Sequence, residues 1–201
     1  GSAGLVSSLI GAPVKAKVTL VAAGDMGGDC LNTGCVPSKA LIKSAKVAAT
    51  MRHADKYGLT PHEPEVPFKQ VMARVMDIIK TIEPHDSVER YTGLGVDVVK
   101  GYAKIIDPWT VEIALNEGGT QRLTAQSIII ATGAEPAVPP IPGIEISGYL
   151  TSETLWQGLS QFDKPPERVA VLGGGPIGCE LSQALARLGS SASQIEMAPR
   201  V

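Results

Sequence analysis

Cysteine is scarce. Three residues in 201, an odd number, do not make the disulfide scaffold of a secreted protein. Paired C-x-x-C units of the kind that build zinc ribbons are missing. His53, His62 and His85 lie in polar stretches without ligand spacing, so they are expected at the surface and no metal site is expected. No apolar run approaches the roughly 20 residues of a membrane span, and no signal peptide opens the chain. Neither charge sign is in excess: a net charge of -2 gives no reason to expect nucleic acid or an anionic membrane as a partner. A cytoplasmic protein is the expectation. There is no initiator Met. GSAGLVSSLIGA enters a helical pattern from a glycine turn with no strand before it, and SASQIEMAPRV stops just after a strand. Both ends are expected to be cuts within a longer protein.

What is present suits a globular α/β chain. Apolar residues make up 44%, enough for a core, and the 22 glycines and 15 prolines are dispersed as turn residues. A helix is expected over 4–12, ended by Pro13, then a buried β-branched strand over 16–22. Helical spacing recurs over 38–54 and over 68–95, the latter broken near Pro84. Strands are expected over 96–107, 110–115 and 127–133. TSETLWQGL (151–159) reads as a capped helix. Residues 168–189 read as strand, glycine turn and helix, and 192–198 as a further strand. Strands alternating with helices imply parallel pairing.

Two glycine turns echo each other. GGGPIG (173–178) fits G-x-G-x-x-G, with an apolar strand before it, a helix after it, and Glu196 23 residues beyond Gly173. Gly173 allows the tight turn, Gly175 lets backbone approach a diphosphate, and Gly178 lets helix meet strand. The helix N-terminus, entered by Pro176 and Ile177, then offers its N–H groups and dipole to the anion. Glu196 would accept from a ribose 2′-hydroxyl and repel a 2′-phosphate, favouring NAD over NADP. GSAG (Gly1, Ser2, Ala3, Gly4) is only the tail of such a fingerprint, and the strand after it ends in Ala22 and Ala23 instead of an acid.

GGDCLNTGC (27–35) places Cys30 and Cys35 five positions apart behind Gly27 and Gly28. The spacing excludes C-x-x-C thioredoxin chemistry. Both cysteines fall near the start of the helix expected over 38–54, where positive potential stabilises anions such as thiolates, and Lys39 adds charge. Two thiols in an irregular turn can close an easily reduced disulfide. The residues alone leave two readings open: a redox pair, or two unrelated buried cysteines. Cys179, inside the second glycine turn, is expected to be a buried small residue.

GGDCLNTGCVPSKAL resembles the GGxCxNxGCxPSK signature of the class I pyridine nucleotide–disulfide oxidoreductases, which include dihydrolipoamide dehydrogenase, mercuric reductase and glutathione reductase. SIIIATGAEPAVPPIPG (127–143) resembles the family segment that returns to the flavin, and VAVLGGGPIGCELSQALARLG its NAD turn. Pro-Ser-Lys after the second cysteine is closer to dihydrolipoamide dehydrogenase and mercuric reductase.

The resemblance implies a Rossmann-like FAD domain with an inserted β-meander over 1–150, lacking its first strand, and the beginning of an NAD domain over 151–201. It implies FAD and NAD as cofactors. Cys35 would be the thiolate against the flavin and Cys30 the outer thiol that exchanges with a small-molecule or protein-bound disulfide. Lys39 and Glu180 would pair beside the flavin ring. Gly34 and Ser38 would lie at the flavin with Gly27 and Gly28, Gly101, Tyr102 and Ala103 at the adenine end, and Ala131, Thr132 and Gly133 at the flavin nucleotide. Departures are Ala22 in place of the usual Glu, Asp29 in place of Thr, and Pro13 after the first helix. The implied parent is a homodimeric NAD-dependent flavoprotein whose acid–base His–Glu pair comes from an interface domain. The alternatives are a mercuric reductase and a non-catalytic FAD/NAD-binding remnant. The chain by itself is expected to be inactive.

Overall fold

The computed structural model describes residues 1–199. In chain order the elements are α1 (Ser2–Gly11), β1 (Thr19–Ala22), α2 (Gly28–Asn32), α3 (Cys35–Arg52), α4 (Phe68–Ile82), α5 (Val88–Gly93), β2 (Asp97–Asp107), β3 (Thr110–Leu115), β4 (Thr120–Thr124), α6 (Leu155–Leu159), β5 (Arg168–Leu172), α7 (Pro176–Leu188) and β6 (Ser191–Ile195). They form two compact units. One holds Gly1–Asn32 and Lys80–Ala137, the other Thr33–Ile79 and the chain from Val138 onward.

In the first unit β1 runs parallel to β2, with Ala22 opposite Lys100. β2, β3 and β4 form an antiparallel meander. The Asp107 carboxylate closes the β2–β3 turn by accepting the N–H groups of Trp109 and Thr110, each at 2.8 Å. Those bonds, Trp109's first, favour the charged form and hold Asp107 below the usual carboxylate range. Leu5 of α1, Leu20 of β1, Tyr91 of α5 and Val96 pack together beneath the sheet.

In the second unit α7 crosses between the parallel strands β5 and β6, a right-sized βαβ turn. α4 buries Phe68, Met72, Val75 and Ile79, four residues at helical spacing. They join Ala40, Leu41 and Ala45 of α3, Trp156 and Leu159 of α6, and Leu181, Ala184, Leu185 and Leu188 of α7 in one core. Contacts join the two helices near both ends: Lys39 meets Glu180, and Arg52 donates to the Arg187 carbonyl at the last turn of α7. Start meets start and end meets end, so α3 and α7 run side by side in the same sense. Arg52 is well placed as a cation at a helix C-terminus.

Four expectations are corrected. The run 127–133 forms no strand, and Ile129 and Ile130 are 67% and 73% exposed. A β-branched run becomes a strand only beside a ladder partner, and β1 pairs with β2 alone among the described residues. β4, polar at every position but Leu123, occupies a place where no strand was expected. The strand expected from residue 16 begins at Thr19. The helix expected from 151 begins at Leu155, because the Thr154 hydroxyl accepts the Thr151 N–H instead of capping a helix there.

Phe68 is fully buried. Phe68→Ala should lower stability by about 3–5 kcal/mol, read as an earlier denaturant midpoint with unchanged slope. A loss below about 1 kcal/mol would show that this core is not what holds the unit.

Candidate dinucleotide and thiol sites

In the first unit α1 starts at Gly1, which caps it without a side-chain hydrogen bond, and Ser2, Ala3 and Gly4 form its first turn. A Cβ on Gly4 would stand 3.2 Å from Leu20 Cδ1, so the missing side chain lets α1 lie on β1. A Cβ on Gly1 would stand 3.8 Å from the Ala131 carbonyl and one on Gly4 3.5 Å from Ala131 Cβ, which puts the 131–133 segment beside this helix start. Gly28 approaches Gly1 so closely that a Cβ would lie 2.5 Å from Gly1 Cα, and its φ of +59° also favours glycine. Ser2 Oγ lies 3.5 Å from the Gly27 carbonyl.

Cys30 is half-buried on α2. It therefore lies on a helix of its own and not on α3. Asn32 steadies that helix: its Nδ2 donates to the Met26 and Gly28 carbonyls, each at 3.0 Å. At the end of β1, where an acid would meet a ribose, Lys100 Nζ donates to Gly24 O at 2.7 Å and Asn116 Nδ2 to Ala23 O at 3.0 Å. Gly101 is explained by the sheet, since a Cβ would stand 2.5 Å from Ala114 O. Tyr102 is 74% exposed beside it, and Ala103 is also exposed. Thr132 and Gly133 are exposed, Gly133 with φ +79°.

The second unit carries the other cysteine. Cys35 is exposed at the first position of the 18-residue helix α3, with Gly34 as its cap. Ser38 closes the first turn, its N–H donating to Gly34 O and its hydroxyl to Cys35 O, both at 3.1 Å. Lys39 follows Cys35 by one turn on the same face. Its Nζ meets Glu180 Oε2 at 2.5 Å, with side chains 59% and 42% exposed. An ion pair that open contributes about 0–1 kcal/mol to folding. Trp156, buried on α6, donates its Nε1–H to the Thr33 carbonyl at 2.7 Å. Asn32 thus fixes the backbone before Cys30, and Trp156 fixes it between the two cysteines. Sequence reasoning assigned neither role; a tryptophan in an otherwise short helix was the available signal.

The second glycine turn is defined by what a side chain would meet there. A Cβ on Gly178 would lie 2.2 Å from Gly173 O, so helix and turn can touch only at glycine. Gly175, the cap of α7, has φ -69° and ψ 174°, which any residue adopts, and a Cβ there would meet nothing within 4 Å. The fold does not require glycine at 175; an approaching diphosphate does. Pro176 occupies the first helical position and Ile177 is 62% exposed beside it. This turn fits a pyridine dinucleotide. The α1 start with its flanking 131–133 backbone fits the diphosphate of a flavin dinucleotide, with no acid at Ala22 for the ribose. Glu196 stands just beyond β6, its Oε2 accepting the Gly174 N–H at 2.5 Å and its Oε1 the Met197 and Ala198 N–H groups at 2.7 Å. Among the described residues no cluster of three His, Cys, Asp or Glu could hold a metal ion, and no helix is long and apolar enough to cross a membrane.

Residues 1–201 match the family described as pyridine nucleotide-disulphide oxidoreductase, and the chain belongs to that family. Mercuric reductase of Serratia marcescens is 35% identical over 196 residues, 94% of this chain and 41% of that protein. Dihydrolipoamide dehydrogenase of Chaetomium thermophilum is 36% identical over 203 residues, 98% of this chain and 38% of that protein. A solved HOCl-induced flavoprotein disulfide reductase of Escherichia coli, in a Cu(II) complex, is similar with TM-score 0.79 and 26% identity over 99% of this chain and 41% of that one. The chain therefore spans about two fifths of the length of these relatives. Family membership implies binding of FAD and a pyridine nucleotide.

The Ala198, Gly174 and Met197 N–H groups, in that order of effect, hold the Glu196 carboxyl below the ordinary glutamate value. Its contribution to the turn is therefore present above the ordinary value and is lost only as pH falls through the lowered one. The Gly174 amide shift should titrate with an apparent pKa below the ordinary glutamate value in an NMR pH series. Titration at or above that value would show the carboxylate is not on this turn.

Proposed function

We propose that the chain belongs to an NAD-linked, FAD-dependent dithiol–disulfide oxidoreductase of the dihydrolipoamide dehydrogenase kind. The observation that carries this reading is the exposed Cys35 at the head of α3, one turn from a lysine paired with Glu180 in the second turn of α7, the helix that the dinucleotide fingerprint enters. Bound FAD supplies two-electron transfer between the pyridine nucleotide and the cysteine pair. Gly1–Gly4 and the 131–133 backbone would hold its diphosphate, with Gly101–Ala103 toward its adenine end. Gly173, Gly175 and Gly178 would receive the NAD diphosphate, and Glu196 would favour NADH over NADPH.

The thiol chemistry follows from the residues. With the pair reduced, the Cys30 thiolate attacks one sulfur of a substrate disulfide, the substrate S–S bond breaks, and one substrate thiolate leaves. The Cys35 thiolate then attacks Cys30 Sγ, which closes the Cys30–Cys35 disulfide and releases the second thiolate. Two electrons have passed from the pair to the substrate, and the reverse sequence oxidises a dithiol. Cys35 is exposed at the head of α3, open to a partner thiol.

The division into a flavin domain over 1–150 and the start of an NAD domain over 151–201 belongs to this proposal, as do a cytoplasmic location, a homodimeric parent and a small or protein-bound disulfide substrate. Mercuric ion as substrate is the second reading, favoured by the mercuric reductase of Serratia marcescens at 35% identity. Turnover assays on oxidised lipoamide and on mercuric ion separate the two.

In the full-length protein, Cys30→Ser and Cys35→Ser should each abolish NADH-dependent disulfide reduction, at least about 1,000-fold, as loss of a nucleophile that acts with its partner as a unit does. Cys30→Ser should keep a long-wavelength flavin absorbance near neutral pH that Cys35→Ser lacks. Equal spectra would reject the division of labour, and retained turnover would reject the redox pair.

A further inference from the structure

Gln194 does not fit its strand. β6 alternates exposed and half-covered residues, and its covered pair is Ala192 and Gln194. The neighbouring strand β5 puts Val169 and Val171 at its covered positions, and Val171 is the ladder partner of Gln194. An amide on a covered strand face needs partners inside the protein to replace water. The Gln194 Nε2 finds Gly173 O at 2.9 Å and Cys179 Sγ at 3.4 Å. The Cys179 thiol in turn donates to Gly174 O at 3.3 Å.

These bonds converge on one peptide plane. The peptide between Gly173 and Gly174 has its carbonyl held by Gln194 and its N–H held by Glu196, two residues further along the same strand end. Gly173 N–H donates to Ile195 O at 2.8 Å. Every backbone polar group of Gly173 and Gly174 is thus engaged by residues 194–196 or by Cys179. Peptides flanked by glycine flip easily, because glycine tolerates both signs of φ. A flip here would turn the Gly173 carbonyl oxygen away from the Gln194 amide and onto the Glu196 carboxylate, and would change the course of the turn that leads into Gly175 and α7. Gly178 supplies the slot for the clasp: a Cβ there would stand 2.2 Å from Gly173 O and 3.1 Å from Gln194 Nε2.

We propose that Gln194 is a positioning residue for dinucleotide binding. Its amide, with Cys179 behind it, fixes the Gly173–Gly174 peptide and so the course of the turn that delivers Gly175 and the α7 N-terminus to the diphosphate. This rests on the reading of residues 173–178 as the NAD turn. It adds that a strand side chain outside the fingerprint sets the affinity of that turn.

The test uses the full-length, flavin-loaded protein with Gln194→Leu, which fills the space without a donor, and Gln194→Glu, which keeps the shape and replaces the donor by an acceptor. NADH affinity is read by fluorescence titration, together with steady-state KM and kcat. Both variants should keep wild-type flavin content and kcat at saturating NADH, while Kd and KM for NADH rise about 3- to 10-fold, the effect of one lost hydrogen bond. Gln194→Glu should show the larger rise. If Gln194→Leu does not fold, the isosteric Gln194→Glu decides alone. Wild-type NADH affinity in the folded variants, or a fall in kcat with KM unchanged, overturns the proposal and leaves the NAD turn standing. A wild-type protein that does not bind NADH removes both.

Discussion

The parallel contact of α3 with α7 is the constraint on which the second unit depends. Two helices laid side by side in the same sense bring their N-termini, and so the positive ends of their dipoles, to one end of the unit. One of these ends carries Cys35, the other the glycine turn. Ala40 and Ala45 of α3 and Ala184 of α7 are buried in the shared core, and the register is marked by Lys39–Glu180 near the start and Arg52–Arg187 near the finish. An exposed ion pair adds little stability, so the apolar core sets the geometry and the pair reports it. Both helix starts thus present their free N–H groups at that one end.

The backbone around each anion position is held by side chains that do no chemistry. Asn32 holds carbonyls before Cys30, and Trp156 holds the Thr33 carbonyl between the two cysteines. Glu196, Gln194 and Cys179 fix the glycine turn. Glycine is needed in both places for close approach, and it leaves the chain locally loose. Side-chain hydrogen bonds from neighbouring elements restore the order that glycine gives up.

Much of this was legible in the sequence. The spacing of Phe68, Met72, Val75 and Ile79 marked α4, and the G-x-G-x-x-G run between an apolar strand and a helix marked the βαβ turn. The break at Pro84 separates α4 from α5 as expected. What was not legible depended on partners. SIIIATG has the composition of a strand, but composition supplies no ladder neighbour, so the run stays irregular. Thr120–Thr124 looks like a polar loop and is a strand because β3 lies beside it. That Cys30 and Cys35 lie on separate helices could not be read from spacing, since a five-residue helix has too little periodicity to detect. Gln194 offered a signal, a polar residue in a strand, but its partners Gly173 and Cys179 appear only when α7 folds back between β5 and β6.

The central claim is that Cys30 and Cys35 are a redox pair served by the pyridine nucleotide bound at the second glycine turn. Anaerobic thiol alkylation of the flavin-loaded full-length protein, read by mass spectrometry with and without NADH, tests it most directly. The account predicts that NADH makes Cys30 and Cys35 alkylable together while labelling of Cys179 does not increase. Labelling of Cys30 and Cys35 that is the same with and without NADH, in protein shown to bind both cofactors, would contradict it.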